Sequence, residues 1–446
     1  MAENTREIVL DTLLEMERNK VFSHQLLKAV LDKYDYLDSQ DKRFMKRLAE
    51  GCIERRIELD YCIEQYSSVK VNKMKPLIRC LMRMGTYQIL YMDSVPDSAA
   101  CNEAVKLAGK RKFTNLKGFV NGVLRKIAAN KDNIPMPDEE KEPIAYLTVK
   151  YSMPSWIVEM WLEEYGWESV VKILDGLMEI HPVSIRFADS VNEEMRASYI
   201  EAWEKRGAVV KQSPYLDYAY TLEGIEGLAS LEGFAEGGFT VQDISSMLMV
   251  EAAGICPTDI CMDICAAPGG KTMLAASKAA KVLSRDVFEN KTELIQINCE
   301  RMQVDHKVCV ETWDATVTDS SKEEYADVLI MDVPCSGLGV MGKKRDIKYN
   351  VTPESVESLL QLQKAIIDAS WQYVKKGGTL MYSTCTIDKK ENQDMVKYIC
   401  EKYPFKLEEE KQILPGFIQA DGFYYARLRR EIHREVQKFC CNIQNF

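Results

Sequence analysis

Of the chain's 14 cysteines, two sit where a thiol could react. Cys335 follows a proline in the run Asp332-Val-Pro-Cys-Ser-Gly-Leu-Gly, and Cys385 lies in Tyr382-Ser-Thr-Cys-Thr. Each comes just after an apolar stretch of the kind that forms a buried strand. An ionised thiol is a good nucleophile, starting from a free pKa near ~8.5. Most of the other cysteines must be small buried hydrophobes, and that blander account stands open for these two as well. Carboxylates occupy similar positions: Asp286, Asp314 and Asp332 each close a strand-like run.

Ahead of them lies a loop, Cys265-Ala266-Ala267-Pro268-Gly269-Gly270-Lys271. Apolar residues lead into it (Ile260, Met262, Ile264) and helix formers leave it (Met273, Leu274, Ala275, Ala276). Strand, Gly-rich turn and helix in that order make a ligand cradle. The glycines let backbone approach the ligand, and free N–H groups at the helix start attract negative charge. Asp286, 23 positions beyond Asp263, is offset as an acid that hydrogen-bonds ribose hydroxyls. Asp314 is placed to meet an adenine edge. The loop is not GxGxxG, so the dinucleotide fingerprint is missing. A zwitterionic amino-acid tail needs N–H groups for its carboxylate and an acid or carbonyl for its amine. The pattern therefore favours S-adenosylmethionine over NAD. Lys271 could neutralise the tail carboxylate or simply be solvated.

These residues need a scaffold. From Phe239 onward, strand-like runs alternate with helical ones: Asp259–Ile264, Lys281–Arg285, Lys307–Thr312, Asp327–Met331 and Thr379–Tyr382. Such alternation predicts an α/β fold, a parallel sheet with helices on both faces. Ligands in such sheets bind beyond the carboxyl ends of the strands, where the thiols and acids above are found.

Residues 1–131 read as all-helical, with apolar positions at helical spacing (Ile8, Leu10, Leu13, Leu14; Leu26, Leu27, Val30, Leu31). Pro76 and Pro96 punctuate the helices. The window Lys106–Lys131 is basic and holds no Asp or Glu. It is either a solvated helix face or a phosphate-binding patch. Residues 132–143 are an acidic, Pro-rich linker. Residues 144–235 read as a small α+β subdomain with strand-like runs at Val183–Phe187 and Ala208–Val210, in which Arg186 is expected on the surface, or else against nucleic acid. Residues 236–430 hold the α/β domain, and 431–446 form a peripheral tail.

The net charge of −10 excludes a uniformly basic nucleic-acid binder and leaves room for a local basic face. No apolar run approaches the ~20 residues of a membrane span. The N-terminus lacks a signal-peptide layout. Scattered cysteines without CxxC spacing predict reduced thiols, no metal and a cytoplasmic location.

One chemistry uses a thiol, an acid and a sulfonium together. C5 of cytosine is too poor a nucleophile to take a methyl group unaided. Addition of a thiolate to C6 makes C5 enamine-like; a base then removes the C5 proton and the thiol is expelled. Asp332 is placed to stabilise the adduct near N3.

The C-terminal part resembles the Sun family of RNA cytosine-C5 methyltransferases, through Val241–Met247 (VQDISSM), DICAAPGGKT, DVPCSGLG, Ser383–Asn392 (STCTIDKKEN) and Asp421–Leu428 (DGFYYARL). The N-terminal third resembles the helical RNA-binding domain of the NusB family, through RMGTYQIL, VPDSAACNEAVKLA and Gly118–Ile127 (GFVNGVLRKI). The resemblance implies a Rossmann-like S-adenosylmethionine-dependent domain joined to a NusB-like one. It implies Cys385 as nucleophile, Cys335 in product release, and cofactor contacts at Cys265–Lys271, Asp286, Asp314 and Asp332. It implies a monomer acting on 16S rRNA, at cytosine 967. Arg345 stands where the family commonly has proline, which is expected to alter one substrate contact. The rivals are the same chemistry on tRNA, Cys335 as nucleophile, and a non-catalytic ribosome-assembly factor.

Overall fold

The computed structural model describes residues 4–19, 23–179, 182–225 and 227–432. Most of the expected tail, 433–446, lies outside the described residues. The chain forms two compact units. Residues 1–178 with 343–351 make the first, and 179–342 with 352–446 the second. The division at Met178 departs from the expected boundary at 143/144. Helices Pro143–Lys150 and Ser155–Met178 belong with the N-terminal helices, not with the small sheet that follows them.

The first unit is built on α1 (Thr5–Asn19), α2 (Ser23–Lys33), α3 (Ser39–Glu54), α4 (Arg56–Tyr66), α5 (Pro76–Tyr91), α6 (Asp97–Lys110) and α7 (Lys117–Ala129), followed by α8 (Pro143–Lys150) and α9 (Ser155–Met178). Pro76 opens α5 at its first turn, where its missing N–H costs nothing. The apolar stripes meet in one core that includes Leu10, Leu48, Met82, Leu107, Leu124 and Ile127.

That packing also decides the basic window. Lys110 Nζ lies 2.5 Å from Glu7 Oε2, and Arg111 Nη2 lies 2.6 Å from Asp11 Oδ2. Lys106 pairs with Glu103 at 2.7 Å and Lys131 with Asp97 at 3.1 Å. Half of the eight cations read as a patch are thus balanced by acids on α1 and α6. Lys112, Lys117, Arg125 and Lys126 make no ion pair among the described residues.

The second unit has two sheets. The smaller is antiparallel, ordered β2-β3-β1-β4, from β1 (Val183–Phe187), β2 (Val209–Gln212), β3 (Ala219–Glu223) and β4 (Phe239–Val241). Helix α10 (Glu193–Lys205) covers it, and Trp203 stacks on Phe187 with ring centroids 5.7 Å apart. The larger sheet contains β5 (Ile260–Asp263), β6 (Lys281–Asp286), β7 (Val308–Thr312), β8 (Ala326–Asp332), β9 (Val374–Thr384), β10 (Phe405–Ile413) and β11 (Phe423–Arg430), in the order β10-β11-β9-β8-β5-β6-β7. Helix α11 (Ile244–Ala252) leads from β4 into β5, and α12 (Gly270–Lys278) and α13 (Glu289–Arg301) connect β5 to β6 and β6 towards β7.

Strands β5 to β9 are parallel, as the alternation predicts. Strands β10 and β11 pair antiparallel, so the sheet is mixed. The alternation rule missed them because they join by a short connection with no helix between them. From β5 the chain goes one way to β6 and β7, and later the other way to β8 and β9. The strand order reverses between β5 and β8, which opens a crevice at their carboxyl ends.

Candidate active site

The cradle begins at the end of β5. Gly269 has φ +100°, in the left-handed region where a side chain would be strained, and it starts α12 one residue later. Asp263, fully buried at the foot of the loop, accepts a hydrogen bond from Thr272 Oγ1 at 2.7 Å. Its other carboxylate oxygen has no partner. Burial pushes this carboxyl up to about 7. At the end of β6, Asp286 is buried and faces the loop. Its Oδ2 accepts from Ala267 N at 3.1 Å, and Oδ1 accepts from Val287 N at 2.8 Å. Burial pushes the Cys265 thiol well up.

Across the crevice, Lys271 Nζ of α12 lies 2.7 Å from Asp332 Oδ2 at the end of β8. Asp332 Oδ1 accepts from Ser383 Oγ of β9 at 2.8 Å. Burial works against the Lys271 charge, but Asp332 outweighs it and holds the ammonium above its ordinary value. One carboxylate therefore ties the loop to the ends of two neighbouring strands.

Beyond Asp332 and Ser383 stand the two thiols. Cys335 Sγ and Cys385 Sγ are 3.3 Å apart, both partly exposed. The hydrogen bond to Cys385, followed by burial, holds the Cys335 thiol well above its ordinary value. Lys271 interacts electrostatically with Cys385. The backbone behind Cys385 is closely packed. Gly339 N donates to Cys385 O at 3.1 Å and Gly422 N to Gly339 O at 2.9 Å. A Cβ at Gly339 would fall 2.1 Å from Gly422 O, so no side chain fits there.

 Asp314 follows β7, the edge strand of the sheet. It is exposed, and its Oδ1 accepts from Thr316 N at 2.9 Å and Thr316 Oγ1 at 2.7 Å. Its carboxylate closes a turn, and those bonds hold it below the usual carboxylate range.

A family model for 16S rRNA methyltransferases of the RsmB/F type matches residues 255–429, and the NusB family model matches residues 3–129. The probable ribosomal RNA small subunit methyltransferase B of Bacillus subtilis (strain 168) is 32% identical, covering 96% of this chain and 99% of that protein. The chain belongs to this family of rRNA methyltransferases. The ribosomal RNA small subunit methyltransferase B of Proteus mirabilis (strain HI4320) is 30% identical over 89% of this chain and 92% of its own length. Among solved structures, PH0851 has a TM-score of 0.78 at 23% identity, covering 96% of this chain and 99% of that one. NSun6 from Pyrococcus horikoshii, solved with the S-adenosylmethionine analogue SFG, has a TM-score of 0.54 at 21% identity, covering 63% of this chain and 98% of that one. At these identities the likeness to the solved structures is one of fold.

As a family member the chain is an S-adenosylmethionine-dependent rRNA methyltransferase. The cradle fits that cofactor: a left-handed glycine ahead of a helix start, a buried acid with an unpaired oxygen, and an acid at the next strand end. When bound, the cofactor supplies an electrophilic methyl group.

Three features escaped the sequence reading. In the sequence Asp263 enters only as the start of the spacing to Asp286, and its burial is visible only in the fold. Arg186 was expected on the surface, yet it is 2% exposed. Strand β1 turns it inward, its Nε donates to Gln242 Oε1 at 3.1 Å, and burial pushes it down to about 10. Arg345 was expected to alter a substrate contact. It lies in the first unit and pairs with Glu50 at 2.9 Å and Glu54 at 3.1 Å, two acids one turn apart on α3.

Proposed function

We propose that the chain methylates C5 of a cytosine in 16S rRNA through a covalent bond between Cys385 and C6, with cytosine 967 as the target. The observation that carries this reading is the pair of thiols 3.3 Å apart, beside a carboxylate bound to Lys271. The thiolate of Cys385 adds to C6, and the C5=C6 electron pair moves to C5, which takes the methyl group. Asp332, ion-paired with Lys271, is an acceptor for the cytosine N4–H, and for the N3–H of the adduct once N3 has taken a proton from solvent.

Once its sulfur is bonded to carbon, Cys385 carries no negative charge. The largest cause of the raised Cys335 value then disappears. Cys335 gives up its proton to solvent and takes the proton from C5. The C5–H pair re-forms the C5=C6 bond, the C6–S bond breaks, and Cys385 leaves as thiolate. Asp286 and the loop Cys265–Lys271 are proposed to hold the cofactor, with Asp332 at its reactive end. Asp314 is proposed as the adenine contact.

A stem cytosine must leave its stack to reach Cys385, so free 16S rRNA is the expected substrate over the finished subunit. The test is a denaturing gel of wild type, Cys335→Ala and Cys385→Ala after incubation with 16S rRNA and S-adenosylmethionine. The reading expects a slow-migrating protein–RNA band in Cys335→Ala, formed on Cys385 and not released. A band that persists in Cys385→Ala and vanishes in Cys335→Ala would reverse the two roles.

A further inference from the structure

Glu391 lies in the turn after β9 and is fully buried. A carboxylate there must be held by donors, and its donors are informative. Its Oε1 accepts from Ser336 N at 2.9 Å and from Gln363 Nε2 at 2.9 Å. Its Oε2 accepts from Ser336 Oγ. Gln363, on helix Pro353–Ser370, also donates to Pro334 O at 3.0 Å. The peptide groups on both sides of Cys335 are thus gripped by one Glu–Gln pair.

The same residue belongs to the loop that carries Cys385. Ser336 Oγ meets Thr386 Oγ1 at 2.8 Å, and Tyr382 OH donates to the Glu391 carbonyl at 2.7 Å. Thr384 Oγ1 donates to Asn392 Oδ1 at 2.6 Å, which closes the loop on itself. Both thiol-bearing loops converge on one buried side chain. Strand ends alone fix Cys385, but Cys335 sits in a turn and needs an anchor.

We infer that Glu391 is a positioning residue, which sets Cys335 against Cys385 and, on the covalent reading above, makes release of the methylated base fast. The placement itself is independent of that reading. Two measurements separate them. The first is the rate at which diamide joins Cys335 to Cys385, read by peptide mass mapping. Two S–H bonds are lost, one S–S bond forms, and the diazene is reduced to a hydrazine. Glu391→Ala should slow this joining on the order of tenfold, because small misplacements of a reacting group are costly. Gln363→Ala should slow it in the same direction, and Glu391→Gln, which keeps an acceptor for Ser336 N, should restore it.

The second measurement is release of the protein–RNA adduct after a single turnover. Glu391→Ala should accumulate adduct while the methyl-transfer step stays near wild type. An unchanged rate of thiol joining in both Glu391→Ala and Gln363→Ala, each with a cooperative melt, would overturn the positioning role. If Glu391→Ala does not fold, Gln363→Ala alone decides it. Slowed joining with unchanged adduct release would leave the positioning intact and instead remove Cys335 from the release step.

Discussion

The basic window of the helical unit and the strand ends of the second unit look alike as sequence: each gathers residues able to do chemistry. They differ in what the fold does with them. In the window, Arg111 is met by Glu7 and Asp11, about a hundred residues away in sequence. In the second unit, Cys335 and Cys385 are 50 residues apart and finish 3.3 Å from each other. Parallel strands deliver their carboxyl ends to one edge, so strand-end residues converge by topology. A run of charges along a helix has no such rule, and its neighbours are decided by whichever helix packs beside it. Linear clustering is therefore the weaker signal, and position at a strand end the stronger.

Breaking the convergence should have the largest effect. Cys385→Ala should lower methyl transfer by at least about 10⁴-fold, the scale seen when a nucleophile is removed. Lys106→Ala, in the window and 72% exposed beside Glu103, should leave turnover within about twofold. Incorporation of labelled methyl into 16S rRNA checks both, and comparable losses would remove the distinction between the two regions.

The next effect is on stability. Burial holds the Asp263 carboxyl near 7, above its value of 3.8 when exposed. Between those values the folded chain keeps a proton that the unfolded chain releases, so this group's contribution is present at low pH and lost as pH rises through the window. The difference in unfolding free energy between wild type and Asp263→Asn should shift against wild type by about 4 kcal/mol at most from pH 4 to pH 8. Urea titrations across that range measure it. A flat difference would mean that the carboxyl is ionised in the fold.

In the window, the cations left without ion pairs carry what remains of the phosphate-binding expectation. Arg125 and Lys126 are exposed on α7. The double variant Arg125→Glu, Lys126→Glu should weaken 16S rRNA binding about tenfold and flatten its log–log salt dependence by about 2. Turnover at saturating rRNA should hold. An unchanged salt slope would move the RNA-binding face elsewhere on the molecule.

Much of the site could be read from residue types, and the reason is the sheet. Asp286, Asp332 and Cys385 each follow an apolar run, and alternation of such runs with helices specifies where their ends go. Asp314 meets the same criterion at the end of the edge strand β7, where it is exposed and accepts from Thr316. Arg186 was misplaced because β1 alternates Ser184 and Arg186 with Ile185 and Phe187, and a sheet covered on both faces buries both sets. The boundary at Met178 was missed because α8 and α9 follow a Pro-rich linker yet pack with the helices before it. Glu391 was in plain view in the motif Ser383–Asn392, but its role depends on Ser336 and Gln363, which no local pattern links to it.

The smallest effect sharpens the comparison from the other side. Arg111 is half-buried between Glu7 and Asp11, and Asp11 is 53% exposed. A pair that open to water gains little over its solvated parts and is screened by salt. Arg111→Met should therefore cost less than about 1 kcal/mol in urea unfolding at low salt, and less again at 1 M salt. A cost of several kcal/mol that survives high salt would show that the window is a structural joint between α1 and α6. Its paired cations would then be committed to the fold, leaving Lys112, Lys117, Arg125 and Lys126 as the part of that sequence available to a phosphate.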